Sequence, residues 1–318
     1  MSPPQSPLPP STGRLRLRRG LASARAGEPG WVAAIGTFDG LHLGHRALVA
    51  RAMALATGLG LESRLLCFEP MPREVLQAQD PPARLRNFRE RHRALQASGL
   101  SALHLLAFND RLRRLSGEQF LGALQAAGLR HAVVGHDFRF GRDGQASADW
   151  LATRGPAQGL GVTVIEPVLS GGERASSGLV REALARADFG RAAALLGGPY
   201  TMRGRVRRGQ QLGRTLGFPT ANLPLKRRRS PLGGIFAVRV HGAGLAGWPG
   251  VASLGTRPTV AGVEPLLEVH LFDLARDLYG AELEVEFVRF LRPELKFDSL
   301  PALVAQMERD AAEARAAL

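Results

Sequence analysis

Trp31-Val32-Ala33-Ala34-Ile35-Gly36-Thr37-Phe38-Asp39-Gly40-Leu41-His42-Leu43-Gly44-His45 decides the reading of this chain. The apolar run is short enough for a buried strand, Gly36 and Gly40 permit a tight turn around Thr37-Phe38-Asp39, and helical composition begins at the second histidine. His42 and His45, three residues apart, then share one helix face. Unpaired N–H groups and the macrodipole at a helix start favour an anion, and two imidazoles add donors at the same spot. Phosphate is the expected occupant, held by Gly36, Phe38, Asp39, Gly40, His42 and His45. Two ordinary surface histidines or a metal pair are the competing readings. No glutamate sits inside the pair as a metalloprotease requires, and no cysteine is near enough to complete a zinc set, so phosphate leads.

Outward from this turn, strand-like runs at Val32 to Ile35, Arg64 to Phe68, Ala102 to Phe108, Ala132 to Val134 and Val162 to Ile165 alternate with helical stretches. The helical candidates are His45 to Thr57, Leu85 to Ser98 and Ser116 to Ala127. Such alternation predicts a parallel sheet covered by helices, with ligands beyond the carboxyl ends of its strands, where the histidine turn falls. After a helical pair around Leu179 to Leu196, the cluster Leu196-Gly197-Gly198-Pro199 breaks the pattern. Arg203 to Val206, Ile235 to Val240, Val251 to Leu254, Leu267 to Leu271 and Leu283 to Phe290 then read as strands without intervening helices, which predicts a small antiparallel barrel. A closing helix from Ser299 to Ala317 is expected to pack Leu303, Val304, Met307 and Ala311 on that barrel. The fold class is therefore α/β plus all-β: a basic, proline-rich, disordered arm over 1–28, a first domain over 29–186, a linker over 187–198 and a second domain over 199–318. Gly242-Ala243-Gly244-Leu245-Ala246-Gly247 satisfies G-x-G-x-x-G, but Trp248-Pro249-Gly250 follows where a helix should start, so a hairpin loop is predicted.

Composition narrows the function. At 318 residues, with 45% hydrophobic residues and no apolar stretch of the roughly 20 residues a membrane span needs, the chain reads as a two-domain globular protein with no membrane partner. The opening residues lack the apolar core of a secretion signal, which predicts a cytoplasmic protein. The single cysteine, Cys67, lies in an apolar run, so core packing is expected and disulfides within one chain are excluded. A formal charge of +14 suits nucleic acid or polyphosphate substrates equally. Lys226 and Lys296 are the only lysines among the 42 basic residues, so the charge reflects arginine bias as much as function, and no specific nucleic-acid partner is inferred. Neither lysine follows a glycine, which excludes a Walker A loop.

Four further segments carry chemistry. Ser176-Ser177 precede Gly178-Leu179-Val180-Arg181, a capped helix start that puts Arg181 one turn in, where it could hold a polyphosphate or merely be solvated. Gly135-His136-Asp137-Phe138-Arg139-Phe140-Gly141 leaves a strand end and could line a pocket, or its rings could be core. In Gly213-Arg214-Thr215-Leu216-Gly217-Phe218-Pro219-Thr220-Ala221-Asn222, Thr220 and Asn222 share a face if extended, and their oxygens suit a magnesium ion shared with substrate phosphates; a plain glycine-proline turn competes. Glu268, in the strand Leu266 to Leu271 with His270 on the same face, is either paired with an arginine or a general base for an alcohol.

Taken together, GTFDGLHLGH, FEPMP at 68 to 72, VVGHDFRFG, SSGLVR, GRTLGFPTAN, the GTRPT of 255 to 259, LEVH, LYG and LRPELKF resemble, in order and over nearly the whole chain from about residue 30, the bacterial bifunctional riboflavin kinase/FAD synthetase family. The resemblance implies an N-terminal Rossmann-like nucleotidylyltransferase domain and a C-terminal riboflavin kinase barrel, with riboflavin, FMN and ATP as substrates and Mg2+ accompanying ATP. It implies that Thr220, Asn222 and Gly213 bind Mg-ATP, that Glu268 is the kinase base, that His42, His45, Ser176, Ser177 and Arg181 handle the adenylylation phosphates, and that Asp137, Phe138 and Arg292 contact flavin. Met71 stands where the family commonly has histidine, Gly178 where it has threonine, and Ser253 where asparagine is frequent. The Gly178 change removes a hydroxyl, so the alternative is a riboflavin kinase that adenylylates FMN weakly.

Overall fold

The computed structural model describes residues 15–24, 27–209, 212–259 and 262–318. It divides into two compact units, Met1–Pro82 with Arg91–Ala175, and Ala83–Glu90 with Ser176–Leu318.

The first unit is built on a six-stranded, wholly parallel sheet of β1 (Arg16–Arg19), β2 (Trp31–Ile35), β3 (Glu62–Glu69), β4 (Ala102–Ala107), β5 (Leu129–Gly135) and β6 (Gly161–Ile165), in the order β1-β4-β3-β2-β5-β6. Its helices include α1 (Leu43–Leu59), α2 (Phe88–Gln96), α3 (Gly117–Ala126) and α4 (Ala148–Ala157). All five residues of β2 are buried, which explains why that strand reads as a continuous apolar run rather than an alternation. On one face Trp31, Ala33 and Ile35 join Phe120, Leu121 and Leu124 of α3 and Leu151 of α4 in the main core. α1 turns Leu48, Val49, Ala52 and Ala56 inward at helical spacing and ends at Gly60 in the left-handed region. The chain order runs outward from β2 through β3 to β4, then returns to the other side of β2 with β5. The strand order therefore reverses between β2 and β5, and the crevice at their carboxyl ends is the expected ligand position.

β1 corrects one expectation. Arg16–Arg19 was to lie in a disordered arm, yet these residues form a parallel edge strand in register with Ala102 to Leu105 of β4. Backbone pairing needs no apolar alternation, and all four side chains are exposed, so hydrophobic pattern carries no signal there. Arg16 pairs with Glu62 at 2.6 Å and His104 Nε2 meets Gly20 O at 2.5 Å, which fasten the segment. The rest of the expected arm, residues 1–14 and 25–26, lies outside the described residues.

In the second unit, α5 (Ser177–Ala185) and α6 (Phe189–Leu196) precede an antiparallel sheet of β7 (Thr201–Arg205), β8 (Ala221–Pro224), β9 (Gly234–Gly242), β10 (Leu245–Thr259), β11 (Gly262–Leu271) and β12 (Glu282–Arg292), in the order β7-β12-β9-β10-β11-β8. An isolated bridge between Arg207 and Asn222, with Arg207 N–H donating to Asn222 O at 2.9 Å, brings the end strands together and nearly closes a barrel. Its interior holds Met202, Leu223, Phe236, Val238, Leu254, Leu267, Val269, Leu283, Val285 and Phe287, none more than 2% exposed. At about 1.5–3 kcal/mol per fully buried aliphatic or aromatic side chain, this core is the unit's main source of stability. The predicted hairpin is present: Ala243 and Gly244 join β9 to β10, both at positive φ (52° and 82°), the backbone of a two-residue hairpin turn.

The terminal helix α7 (Leu300–Ala317) packs on the barrel through the side that carries the expected Ala311, with its deepest burial towards its C-terminal end. Ala314 is fully buried against Ala237 and Phe272, with Ala311 and Ala317 beside it, while Leu303, Val304 and Met307 are only half-buried. The deciding contact is polar: buried Asp310 takes a two-pronged salt bridge from Arg292, Nε to Oδ1 at 2.8 Å and Nη2 to Oδ2 at 2.6 Å.

Candidate active sites

At the carboxyl end of β2 the chain runs through a strained turn. Phe38 (φ 54°) and Leu41 (φ 53°) occupy the left-handed region together with Gly40 (φ 82°), and each non-glycine residue there costs about 1–3 kcal/mol unless its surroundings impose it. Phe38 and Asp39 are buried, so the turn is folded inward and not draped over the surface. His42 is the N-cap residue of the 17-residue α1, in extended conformation with no side-chain cap bond. As predicted, the two histidines are neighbours: their rings stack at 3.6 Å between centroids, and Phe38 packs on His45 at 5.0 Å. Gly44 lies under them, where an added Cβ would come within 3.2 Å of the His42 ring. His45 Nδ1 is buried without a hydrogen-bond partner. Burial first, then the neighbouring His42 and Arg91, pushes the His45 pKa well below the ordinary histidine value of 6.5.

Arg91, on α2, has no exposed side-chain surface; its Nη1 donates to Thr37 O at 2.9 Å and its Nη2 to Glu69 Oε2 at 3.0 Å. The sequence reading missed it, because in Phe88-Arg89-Glu90-Arg91-His92-Arg93 one arginine among several carries no mark of burial. Met71, in the FEPMP segment that also contains Glu69, is itself buried.

The loop leaving β5, the strand on the other side of the crevice, holds the second predicted group. Asp137 is ion-paired with Arg174, and Phe138 stacks on Phe140 at 5.4 Å. The rings meet the core reading, with Phe140 buried and Phe138 packed against the same cluster, while the Asp137 carboxylate stays exposed at the strand end.

Ser176, Ser177 and Arg181 fall in the second unit. Ser176 Oγ caps α5 by accepting from Leu179 N–H at 3.2 Å, and Arg181 spends donors on Ala83 O at 2.6 Å and Ser177 O at 3.2 Å. Gly178 has nothing nearer to an added Cβ than Ser176 Oγ at 3.7 Å, an ordinary van der Waals contact. Gly178→Ala should therefore stabilise the protein, by about 0.5 kcal/mol given the helix propensity of glycine, seen as a small rise in Tm; a fall would show that the open space is needed.

In the barrel, the register places Asn222 of β8 directly opposite Glu268 of β11, and Ser253 of β10 opposite Glu268 on its other side. Opposite residues project from the same sheet face, so these three side chains form one row. Leu267, Val269 and Leu271 point inward between them, and Glu268 and His270 share the outer face as predicted. Thr220 lies just before β8, its carbonyl accepting from Asn222 Nδ2 at 3.3 Å. Asn222 is 6% exposed, and its Oδ1 is buried without a hydrogen-bond partner. The preceding loop passes close: a Cβ on Gly209 would lie 2.6 Å from that oxygen, and one on Gly213 2.3 Å from Phe218 O. Beside Arg207 a cavity of about 510 Å3 is lined by Arg205, Val206, Arg207, Arg208, Tyr279 and Gly280, with the Arg208 guanidinium 5.3 Å over the Tyr279 ring. Arg292, expected at flavin, is bound to Asp310 and through Nη1 to Pro293 O at 2.9 Å.

Comparison with known proteins assigns each half. Residues 25–179 match the family described as FAD synthetase, and residues 196–318 the family described as riboflavin kinase. A bifunctional riboflavin kinase/FMN adenylyltransferase of Pseudomonas fluorescens is 47% identical over 305 residues, covering 95% of this chain and 97% of that one. The protein of the same description from Escherichia coli K12 is 41% identical over 304 residues, covering 95% and 97%. A solved structure from Streptococcus pneumoniae, described as a macrolide-efflux protein, superposes with a TM-score of 0.76 at 30% identity over 95% of this chain and 99% of that one. Among the described residues here, no helix is long and apolar enough to cross a membrane.

Proposed function

The chain belongs to the bifunctional riboflavin kinase/FMN adenylyltransferase family, and from that premise we propose how its two sites divide the work. It phosphorylates riboflavin to FMN with one ATP and adenylylates FMN to FAD with a second, releasing pyrophosphate. We assign the first step to a domain over 199–318 and the second to one over 29–186, joined by 187–198, in a protein of the cytoplasm.

The observation that carries the kinase assignment is the row Asn222, Glu268 and Ser253 on one barrel face. Glu268 accepts the proton of riboflavin's 5′-hydroxyl as its oxygen attacks the γ-phosphorus; the bond from that phosphorus to the β-phosphate oxygen breaks, and ADP leaves. Asn222 Oδ1, buried and without a hydrogen-bond partner, together with the Thr220 hydroxyl offers the oxygen donors a hard divalent cation requires, so these two residues would hold Mg2+. When bound, Mg2+ neutralises charge on the transferring phosphates. The cavity of three arginines and Tyr279 beside the barrel seam suits the rest of a nucleotide.

In adenylylation the attacking group is the FMN phosphate, already anionic at neutral pH, so no protein nucleophile or strong base is needed. An FMN phosphate oxygen attacks the α-phosphorus of ATP, the bond to the β-phosphate oxygen breaks, and pyrophosphate departs. The histidine turn and the helix start of α1 supply donors and positive potential for these oxyanions, and Arg181 is assigned to phosphate. Polyphosphate beside His45 favours its protonated form, opposing the burial that otherwise keeps it neutral. Asp137, Phe138 and Arg292 are assigned to flavin.

Purified protein given riboflavin, ATP and Mg2+ is expected to accumulate FMN and then FAD, resolved by chromatography. FMN alone would establish the weakly adenylylating kinase instead.

A further inference from the structure

We infer that Arg91 is a positioning residue of adenylylation, holding the Thr37 to His45 turn in the conformation that presents its donors to phosphate. This rests on the assignment of that turn to the adenylylation site. Three observations support it. First, Arg91 is completely buried, although a guanidinium is costly to desolvate and a buried ion pair is poor evidence of a stability role. Second, its two arms are used in two places: one on the Thr37 carbonyl, inside the turn, and one on Glu69, at the carboxyl end of the neighbouring strand β3. The guanidinium thus spans the ends of two adjacent parallel strands, and its planar fork fixes their separation, which a single-point donor cannot do. Third, the turn it braces is one that would not persist unaided. Phe38 and Leu41 stand in the left-handed region between Thr37 and α1, and relaxation of either would shift the start of α1, with His42 and His45, relative to the end of β2. Arg91 also brings its charge near His45, where it acts in the same direction as burial and disfavours a proton in the absence of an anion.

Arg91 contacts a backbone carbonyl and a carboxylate, so its contribution runs through the turn. Loss of positioning lowers the rate of the chemical step more than it weakens ground-state binding. Steady-state FAD formation from supplied FMN and Mg-ATP would be measured for Arg91→Met, Arg91→Lys and His45→Ala, with riboflavin phosphorylation by the same preparations as the measure of intact folding elsewhere. Arg91→Met keeps the apolar stem and loses both donors; kcat for FAD formation is expected to fall about 30- to 300-fold, with KM for ATP changed less than about fivefold. Arg91→Lys keeps the charge and one donor and should recover kcat to within about tenfold of the parent. Unchanged kcat in Arg91→Met, or a parallel fall in phosphorylation, would overturn the inference by showing no role or a merely structural one. Full FAD formation by His45→Ala would instead remove the site assignment beneath it, whereas loss in His45→Ala with none in Arg91→Met would sink the positioning role alone.

Discussion

His45→Ala is expected to lower FAD formation from supplied FMN by about 10²–10³-fold in kcat and to leave riboflavin phosphorylation at its parental rate; removing one positioned donor from an oxyanion site has that order of effect. Geometry sets the size of the expectation. His45 is stacked on His42 and backed by Phe38, so no neighbouring side chain can swing into its place, and alanine leaves a gap at the foot of α1. Continuous assay of FAD against FMN checks both halves in one sample, and full-rate FAD formation would show that the turn binds something else. The same residue shapes the acid response. Its folded-state pKa lies well below 6.5, so the unfolded chain takes up a proton that the folded one refuses, and stability is lost as pH falls from about 6.5 towards that lower value. His104 and His131, also depressed chiefly by burial, act in the same direction.

Glu268→Ala has the opposite selectivity. FMN formation should fall about 10²–10⁴-fold, the range of general-base contributions, while FAD formation from supplied FMN continues. Glu268 stands in a strand whose alternate residues, Leu267 and Val269, are fully buried, and the barrel packs around those and not around the carboxylate. The substitution therefore removes chemistry with little cost in folding, and thermal unfolding should report a barrel close to the parental one. Undiminished FMN output would remove Glu268 from the mechanism and return it to the role of a paired surface charge.

Much of this arrangement was legible in the amino-acid order. Parallel strands buried on both faces read as solid apolar runs, so β2 to β5 stood out, and the histidine turn followed because glycines flank it. The barrel strands that alternate, β11 above all, exposed their outer residues to the same reasoning, and Glu268 with His270 was found. What escaped depended on partners remote in the chain. β8 was left between an extended segment and a turn because Gly217 and Pro219 precede it, and only pairing with β11 makes it a strand and sets Asn222 against Glu268. Arg91 looks like its neighbouring arginines until the fold closes over it. The expected stripe of α7 left out Asp310, which is polar and unremarkable in sequence until Arg292 draws it inward beside Ala311 and Ala314. Gly178, the departure that most touched adenylylation, proves to be a helix position with open space around it.

The outermost strand of the first sheet has a bearing on behaviour at high concentration. A free strand border invites a second molecule to continue the hydrogen-bond ladder, the opening move of fibril growth. Here that border is Arg16-Leu17-Arg18-Arg19, with every side chain in solvent. A like copy approaching it would set the guanidinium groups of Arg16, Arg18 and Arg19 against its own, so positive charge acts at this rim as a guard against self-stacking.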